Sequence, residues 1–268
     1  MINLPSNISR TPWGRGGDHG RGLARLSAAA IMAAVFFVLA TQQPSLAGSA
    51  PQIVVELYTS QGCNSCPPAD RLLGELARRD DVIALTFNVD YWDYLGWKDT
   101  LARPANTERQ RQYAAAMRNR TVYTPQMVIG GRQHAVGSDV SAVSAAIEAE
   151  QRRSDGSPKL HVKHQDGRIL ISLDALDASG RKGVNATVWL VRYDKRRDVP
   201  IERGENAGNK LSYYNVVRDM RALGHWRGQA MQMDLSRAEL AEGGRDGCAI
   251  IVQNGPVGPI LAAARINF

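Results

Sequence analysis

Residues 53–76 read IVVELYTSQGCNSCPPADRLLGEL, and this stretch decides the fold prediction. Its first six residues form an apolar, β-branched run that predicts a buried strand over 53–58, and TSQG predicts a loop after it. The two prolines fit only the first turn of a helix, and the leucines that follow continue it with helical spacing. The sequence therefore places Cys63 and Cys66 between a strand and a helix, with Cys63 at or near the helix N-cap.

The chain that follows alternates strands with helices up to about residue 153. Hydrophobic runs, turn residues and caps predict a strand over 82–89, a helix over 107–117, a strand over 122–131 with Pro125 at its mouth, a return strand over 132–136 and a helix capped by Ser138. This order, with a Cys-bearing helix after the first strand, is the thioredoxin arrangement. We therefore expect residues 51–153 to form an α/β thioredoxin-like domain.

A different pattern begins after the polar linker RRSDGSP at 152–158. Short apolar runs separated by turn residues predict strands over 159–164, 168–173, 184–193, about 210–217, 229–234, 247–253 and 259–266. Alternating apolar residues, as in 184–190, are typical of antiparallel sheets with one covered face. We therefore expect residues 158–268 to form a second, β-rich, sandwich-like domain.

The first 47 residues have the pattern of an export signal. Four arginines precede an uncharged run of 15 residues, LSAAAIMAAVFFVLA at 26–40, and small residues in Ser45-Leu46-Ala47 suit a signal peptidase. The run is shorter than the ~20 residues of a spanning helix, and an uncleaved signal anchor is the alternative. We therefore expect a periplasmic or secreted protein. Removing this leader, with four Arg and one Asp, takes the net charge from +7 to +4, which does not indicate nucleic-acid binding.

The two cysteines beside the predicted helix can act as a redox pair. The chain has only three cysteines among 268 residues, so a disulfide-framework protein is excluded. At a helix N-terminus, free amides and the helix dipole stabilise a thiolate, which is the species that attacks a disulfide. Cys63 is therefore the predicted nucleophile, with a solvent-facing sulfur, and Cys66 is the predicted resolving thiol.

Three other uses of the pair are open: a structural disulfide, half of a zinc site, and two unrelated buried thiols. The sequence has no second C-x-x-C and no matching histidine pair, so four zinc ligands are lacking, and we expect neither metal nor cofactor. A copper site formed by both thiolates and His134 is physically possible, because thiolates are soft ligands. A structural disulfide over four residues would stabilise the fold little. The redox pair is therefore preferred.

Pro125 and Glu56 complete the predicted catalytic set of Cys63, Cys66, Pro125 and Glu56. Pro125 heads a strand after a loop, where thioredoxin-like folds place a cis proline beside the active-site sulfurs; an ordinary strand-entry proline is the alternative. Glu56 lies seven residues before Cys63 in an apolar strand, and a carboxylate there would relay the proton of the resolving thiol. If strand alternation turns Glu56 outward, it is an edge polar residue.

The segment YWDYLGW at 91–97 packs four aromatic residues into seven positions. It is expected to form either a platform beside the sulfurs or a plug between the two domains. The plug is preferred, because aromatic residues clustered in a loop are usually buried against something.

Three strings carry a family resemblance: VELYTSQGCNSCPPAD at 55–70, VDYWDYLGW at 89–97 and YTPQ at 123–126. They resemble the secreted thioredoxin-like family called domain of unknown function 1223, and RGEN at 203–206 and YNVVR at 214–218 extend the likeness into the second half. The resemblance implies a thioredoxin-like domain followed by a β-rich domain, and it implies no known reaction.

Two functions follow from these residues. The first is an exported thiol-disulfide oxidoreductase acting on protein thiols or disulfides, with Cys63 attacking and Cys66 resolving. The alternative is a non-catalytic binding or accessory module whose Cys pair is structural or binds copper. Accessibility distinguishes them, because an exposed Cys63 sulfur beside Pro125 supports the enzyme and a covered one supports the accessory module. No nucleic-acid partner is expected, and no membrane contact beyond the export signal.

Overall fold

The Cys pair lies between strand β1 (Ile53–Thr59) and helix α1 (Pro67–Leu76). The computed structural model describes residues 52–153, 157–180 and 182–266, so the predicted leader over 1–47 lies outside the described residues. Cys66 is the N-cap residue of α1, and Cys63 precedes it by three residues. The N-cap residue is thus Cys66 rather than Cys63, because the two prolines occupy the first two positions of the helix.

The other elements follow in chain order. They are β2 (Val82–Asn88), a short 3-10 helix (Asp93–Leu95), α2 (Pro104–Ala116), β3 (Gln126–Ile129), β4 (Gln133–Val136), α3 (Val140–Gln151), β5 (Leu160–Gln165), β6 (Arg168–Leu173), β7 (Ala186–Pro200), β8 (Lys210–Trp226), β9 (Met231–Ser236), α4 (Arg237–Leu240), β10 (Gly247–Asn254) and β11 (Ile260–Ile266). All seven strands predicted after residue 158 are present, although β7 and β8 extend well beyond their predicted ends. Across the described ranges, every helix is too short or too polar to cross a lipid bilayer.

Two sheets hold these strands. Eight strands form a mixed sheet in the order β11-β10-β7-β8-β2-β1-β3-β4, and three form an antiparallel sheet in the order β5-β6-β9. The part of the chain that the structure describes contains only four short α-helices. The predicted fold class, an α/β thioredoxin-like domain followed by a β-rich, sandwich-like domain, is therefore wrong, because one large sheet runs through both halves of the chain. Separate folding of 51–153 and 158–268 stays a prediction.

The two halves of the chain join where β2 and β8 pair in parallel. β2 is buried along its whole length, so both of its edges need hydrogen-bonding partners. β1 pairs with one edge, and β8 meets the other where Thr86 lies opposite Val216. Thr86 Oγ1 donates to Tyr214 O at 2.6 Å, and Asn215 Nδ2 donates to Ala84 O at 2.8 Å. These contacts attach β8 and its partner β7 to the first half of the chain.

Different helices cover the two faces of the large sheet. α1 and α3 pack on the face that includes Val55 and Leu57, whereas α2 packs Tyr113 against Tyr58 on the other face. Successive residues of a strand point to opposite faces, so Glu56 lies on the α2 side. The small sheet packs on β7 and β10 through a separate apolar cluster.

Gly74 of α1 is expected not to tolerate a side chain. A Cβ built on Gly74 would lie 2.5 Å from Cε2 of Tyr214 on β8. We expect Gly74→Ala to lower the free energy of unfolding by about 1–3 kcal/mol in urea denaturation, because overpacking forces the ring or the helix to move. In a Tyr214→Ala background, the same substitution should cost little, since alanine favours a helix over glycine. An equal loss in both backgrounds would contradict the packing of α1 on β8.

Candidate functional site

Cys63 and Cys66 form a disulfide in the loop between β1 and α1, with Cα atoms 5.4 Å apart. Main-chain bonds hold this loop: Cys63 N donates to Ser60 O, and Cys66 N donates to Cys63 O, each at 3.2 Å. Cys63 is 1% exposed and Cys66 is 0% exposed, while Asn64 and Ser65 between them are exposed. The expectation that the Cys63 sulfur faces solvent is therefore wrong.

The loop that carries Cys63 is held by a residue from the second half of the chain. Asn206, in the loop between β7 and β8, donates from Nδ2 to Gln61 O at 2.9 Å and to Cys63 O at 3.0 Å. Trp97 Nε1 donates to Gln61 Oε1 at 2.8 Å. Sequence reasoning identified the RGEN string but not this contact, because more than 140 residues separate Asn206 from Cys63. Asn206 is 4% exposed, and it binds the main chain on both sides of Gly62.

The aromatic segment 91–97 contacts both the Cys loop and the second half of the chain. A Cβ built on Gly62 would lie 3.2 Å from Trp92 Cβ, and one built on Gly204 would lie 3.2 Å from Trp97 Cβ. Trp92 Nε1 also donates to Thr124 Oγ1 at 2.8 Å. Trp92 and Trp97 thus pack near both loops, but no residue of 91–97 is fully buried and Tyr94 is 79% exposed, so the plug interpretation stays a prediction.

The Thr124-Pro125 peptide bond is cis, as predicted. Pro125 directly precedes β3, and its carbonyl accepts a hydrogen bond from Gly137 N at 2.9 Å. A Cβ built on Gly137 would lie 3.0 Å from Ala69 Cβ of α1 and 3.2 Å from Pro125 Cβ. Pro125 and the helix that follows the Cys pair thus meet across a glycine. Direct contact between Pro125 and the sulfurs stays a prediction.

Glu56 forms a buried ion pair with Arg109 of α2. Its two carboxylate oxygens accept from Arg109 Nε and Nη2 at 2.8 Å each, and from the hydroxyl groups of Tyr58 and Tyr113 at 2.9 Å each. Arg109 Nη2 also donates to Gln253 Oε1 of β10 at 2.9 Å. Burial raises the pKa of both tyrosines, so they donate as neutral phenols. Glu56 is 1% exposed, so its interpretation as an edge residue is wrong, and its role as a proton relay stays a prediction.

Asp70 is a buried carboxyl group that sequence reasoning did not assign to the site. It lies in the first turn of α1 and is 4% exposed, and neither of its oxygens has a hydrogen-bond partner among the described residues. Burial raises its pKa to about 8; the nearby Thr59 hydroxyl partly offsets this effect, the charge of Asp99 adds to it, and Arg71 opposes it. An acidic residue in a first helical turn normally indicates only a favourable dipole interaction, so no sequence pattern indicated this burial.

His134 lies on β4 with both ring nitrogens engaged. Tyr123 Oη lies 2.7 Å from its Nδ1, and Asn119 Nδ2 lies 2.7 Å from its Nε2. Within the described ranges, no group of three or more His, Cys, Asp or Glu side chains is arranged to hold a metal ion. The structure therefore does not bring His134 and the Cys pair together as a copper site.

The Glu56 and Arg109 pair is expected to be strongly coupled in stability. Arg109→Met should lower the free energy of unfolding by about 3–5 kcal/mol, because it leaves a buried carboxylate unpaired. Adding Glu56→Gln should recover much of this loss, since the uncompensated charge is gone. A double-mutant cycle in urea measures the coupling, and losses that simply add would contradict it.

Comparison with known proteins gives a family and two similar solved structures. The family described as "Protein of unknown function (DUF1223)" matches residues 54–253. A crystal structure of an Agrobacterium tumefaciens protein is 34% identical to this chain with a TM-score of 0.70, and the match covers 81% of this chain and 95% of that one. HBP35 of Porphyromonas gingivalis is similar in fold, with a TM-score of 0.52 and 11% identity over 82% of this chain and 76% of that one. No curated protein matches the chain. Because the family match spans more than half of the sequence, the chain belongs to the DUF1223 family.

Proposed function

We propose that the protein is an exported thiol-disulfide oxidoreductase that acts on protein thiols or disulfides through Cys63 and Cys66. The observation that carries this proposal is the disulfide between them, which closes a loop of only four residues. Such a short loop removes little entropy from the unfolded chain, so stability does not explain the bond. Disulfides persist in oxidising compartments, which supports the exported location.

The proposed chemistry exchanges one disulfide for another. A substrate thiolate attacks Cys63 Sγ, a mixed disulfide forms, and the bond between the two cysteines breaks with Cys66 leaving as a thiolate. A second substrate thiolate then attacks the substrate sulfur of the mixed disulfide and releases Cys63. The substrate dithiol is thereby oxidised to a disulfide, and the Cys pair is reduced. The reverse sequence reduces a substrate disulfide, with Cys66 attacking Cys63 of the mixed disulfide to release the substrate.

The source of thiolate stabilisation at Cys63 differs from the one expected at a simple helix start. Pro67 and Pro68 have no N–H groups, and Ala69 N donates to Cys66 O at 2.9 Å. The first turn therefore offers few free amides to a sulfur. Ser65 Oγ lies 3.5 Å from Cys63 Sγ and is a donor within reach. A lowered pKa at Cys63 depends in this proposal on the Ser65 hydroxyl group and the helix dipole.

The burial of Cys63 favours the second candidate function, a non-catalytic accessory module with a structural disulfide. Because Cys63 is 1% exposed, its sulfur cannot be attacked in line until the residues around it move. The enzyme proposal therefore requires the loop over 61–66 to open. Opening would break the hydrogen bonds that Gln61 makes with Asp99, Thr100 and Trp97, and the two from Asn206. Asn64 and Ser65, between the cysteines, are already exposed.

Catalysis of disulfide exchange tests the proposal directly. The chain without its predicted leader, residues 48–268, should accelerate the reduction of insulin by a small dithiol, or the oxidation of a reduced unfolded protein. Cys63→Ser should lower the rate at least about 100-fold, because the nucleophile is lost. Cys248→Ala is the matched control, since Cys248 is the free, buried cysteine and should leave the rate unchanged.

Either of two results would overturn the enzyme proposal. One is a wild-type protein, intact in its disulfide, that is no faster than buffer. The other is a rate that survives Cys63→Ser. The first would leave the accessory module as the remaining candidate function.

Asn206 is expected to restrict access to the disulfide. Asn206→Ala removes two hydrogen bonds to the Cys loop, and a net loss of about 1 kcal/mol should raise the rate of disulfide reduction by dithiothreitol about 5-fold. Thiol release measured at pH 8 gives this rate. Asn209→Ala, at an exposed position in the same loop, is the matched control. Equal rates in wild type and Asn206→Ala would contradict the gating role.

A further inference from the structure

Asp70 and Cys66 lie on the same side of helix α1. Asp70 N donates to Cys66 O at 3.1 Å, which is the helical bond between residues four positions apart. Side chains with this spacing are neighbours on one helix face. Both residues are buried, at 0% exposure for Cys66 and 4% for Asp70. A buried carboxyl group, that of Asp70, thus lies one helical turn after Cys66 in the chain.

Asp70 and Asp99 are neighbouring buried carboxyl groups, and their hydrogen-bond donors differ. Asp99 accepts four hydrogen bonds, from the amides of Gln61, Leu101 and Ala102 and from Asn88 Nδ2, at 2.8 to 3.1 Å. Burial raises the pKa of Asp99, and those donors partly oppose this shift by favouring its ionised form. Asp70 has no well-formed hydrogen bond among the described residues, and only the nearby Thr59 hydroxyl partly offsets its burial. Of these two carboxyl groups, Asp70 therefore has the surroundings that favour the protonated form more strongly.

The remaining titratable groups near Asp70 are not expected to gain or lose a proton near neutral pH. Arg71 is exposed on the same helix and only partly opposes the effect of burial. Tyr213 of β8 faces Asp70 and Asp99, and burial keeps its pKa far above neutral pH. Glu56 of β1 is neutralised by Arg109 and lies on the opposite face of the sheet from α1. Asp70 is therefore the group near Cys66 whose protonation changes close to neutral pH.

We propose that Asp70 exchanges a proton with Cys66, giving it to the Cys66 thiolate when the disulfide opens and taking it back when Cys66 closes the disulfide again. The step balances: the Cys66 thiolate and the neutral Asp70 carboxyl group become a Cys66 thiol and an Asp70 carboxylate. This role rests on the proposed function. Asp70 of helix α1 thereby takes the role of proton relay that the sequence predicted for Glu56.

Titration of Cys66 as the single thiol tests the proposal without any substrate. Cys63→Ser with Cys248→Ala leaves Cys66 as the one cysteine of the chain. Thiolate absorbance at 240 nm against pH then reports its pKa. Adding Asp70→Asn should lower this pKa by about one unit or more, because a carboxylate next to a thiol disfavours the thiolate. Adding Asp70→Glu should preserve the original titration.

Glu75→Gln is the matched control, because it removes one carboxylate from an exposed position on the same helix. It should leave the Cys66 titration unchanged. The Asn variant removes a buried group without partners, and its urea denaturation curve confirms that it is folded. A Cys66 titration that is the same with Asp70 and with Asn at this position would overturn the proposal.

Failure of the relay and failure of the enzyme give different results. If Asp70→Asn leaves the Cys66 titration unchanged while the wild-type protein catalyses insulin reduction, the relay is wrong and the proposed function stands. If the titration shifts as expected while the wild-type protein catalyses nothing, the proton coupling stands and the proposed function is wrong.

Discussion

The buried ion pair between Glu56 and Arg109 is the constraint on which the rest of the site depends. A charge at that depth is tolerated only when it is paired and its hydrogen-bonding capacity is filled. The carboxylate of Glu56 accepts four hydrogen bonds, from Arg109, Tyr58 and Tyr113. Arg109 also donates to Gln253 of β10. This pairing ties β1 to α2 and to the second half of the chain. Because β1 runs directly into the Cys loop, its fixed position determines where the Cys pair lies.

Local features of the site could be read from the sequence, whereas its long-range contacts could not. The apolar run before Cys63 and the prolines after Cys66 predicted the strand, loop and helix, since each depends on neighbouring residues. The seven later strands were also recognisable from alternation and turns. The pairing of β2 with β8 was not, because a strand buried on all sides shows that it has two neighbours without showing which ones. Asn206 was missed for the same reason: its partners are main-chain carbonyl groups, which carry no sequence signal.

Two acidic residues near the Cys pair show how surroundings, rather than spacing in the sequence, set the chemistry of a carboxyl group. Glu56 and Asp70 are both buried, and each lies within seven residues of Cys63. Glu56 faces α2, where a guanidinium group and two phenols stabilise its charge. Asp70 faces the core beside β8, where burial raises its pKa to about 8. Strand alternation and helix phase decide which face each side chain meets, so the proton-holding group follows the Cys pair instead of preceding it.

The continuity of the large sheet limits how the disulfide can become accessible. The pairing of β2 with β8, and the bond from Arg109 to Gln253, join the two halves of the chain through buried contacts. Rotation of one half away from the other would break these contacts and expose the Glu56 charge, at a cost far above that of a surface loop motion. The hydrogen bonds from Asn206, by contrast, reach only the Cys loop itself. For the proposed function, local opening of the loop over 61–66, with its hydrogen bonds to Asn206 broken, is therefore a less costly route to Cys63 than separation of the two halves of the chain.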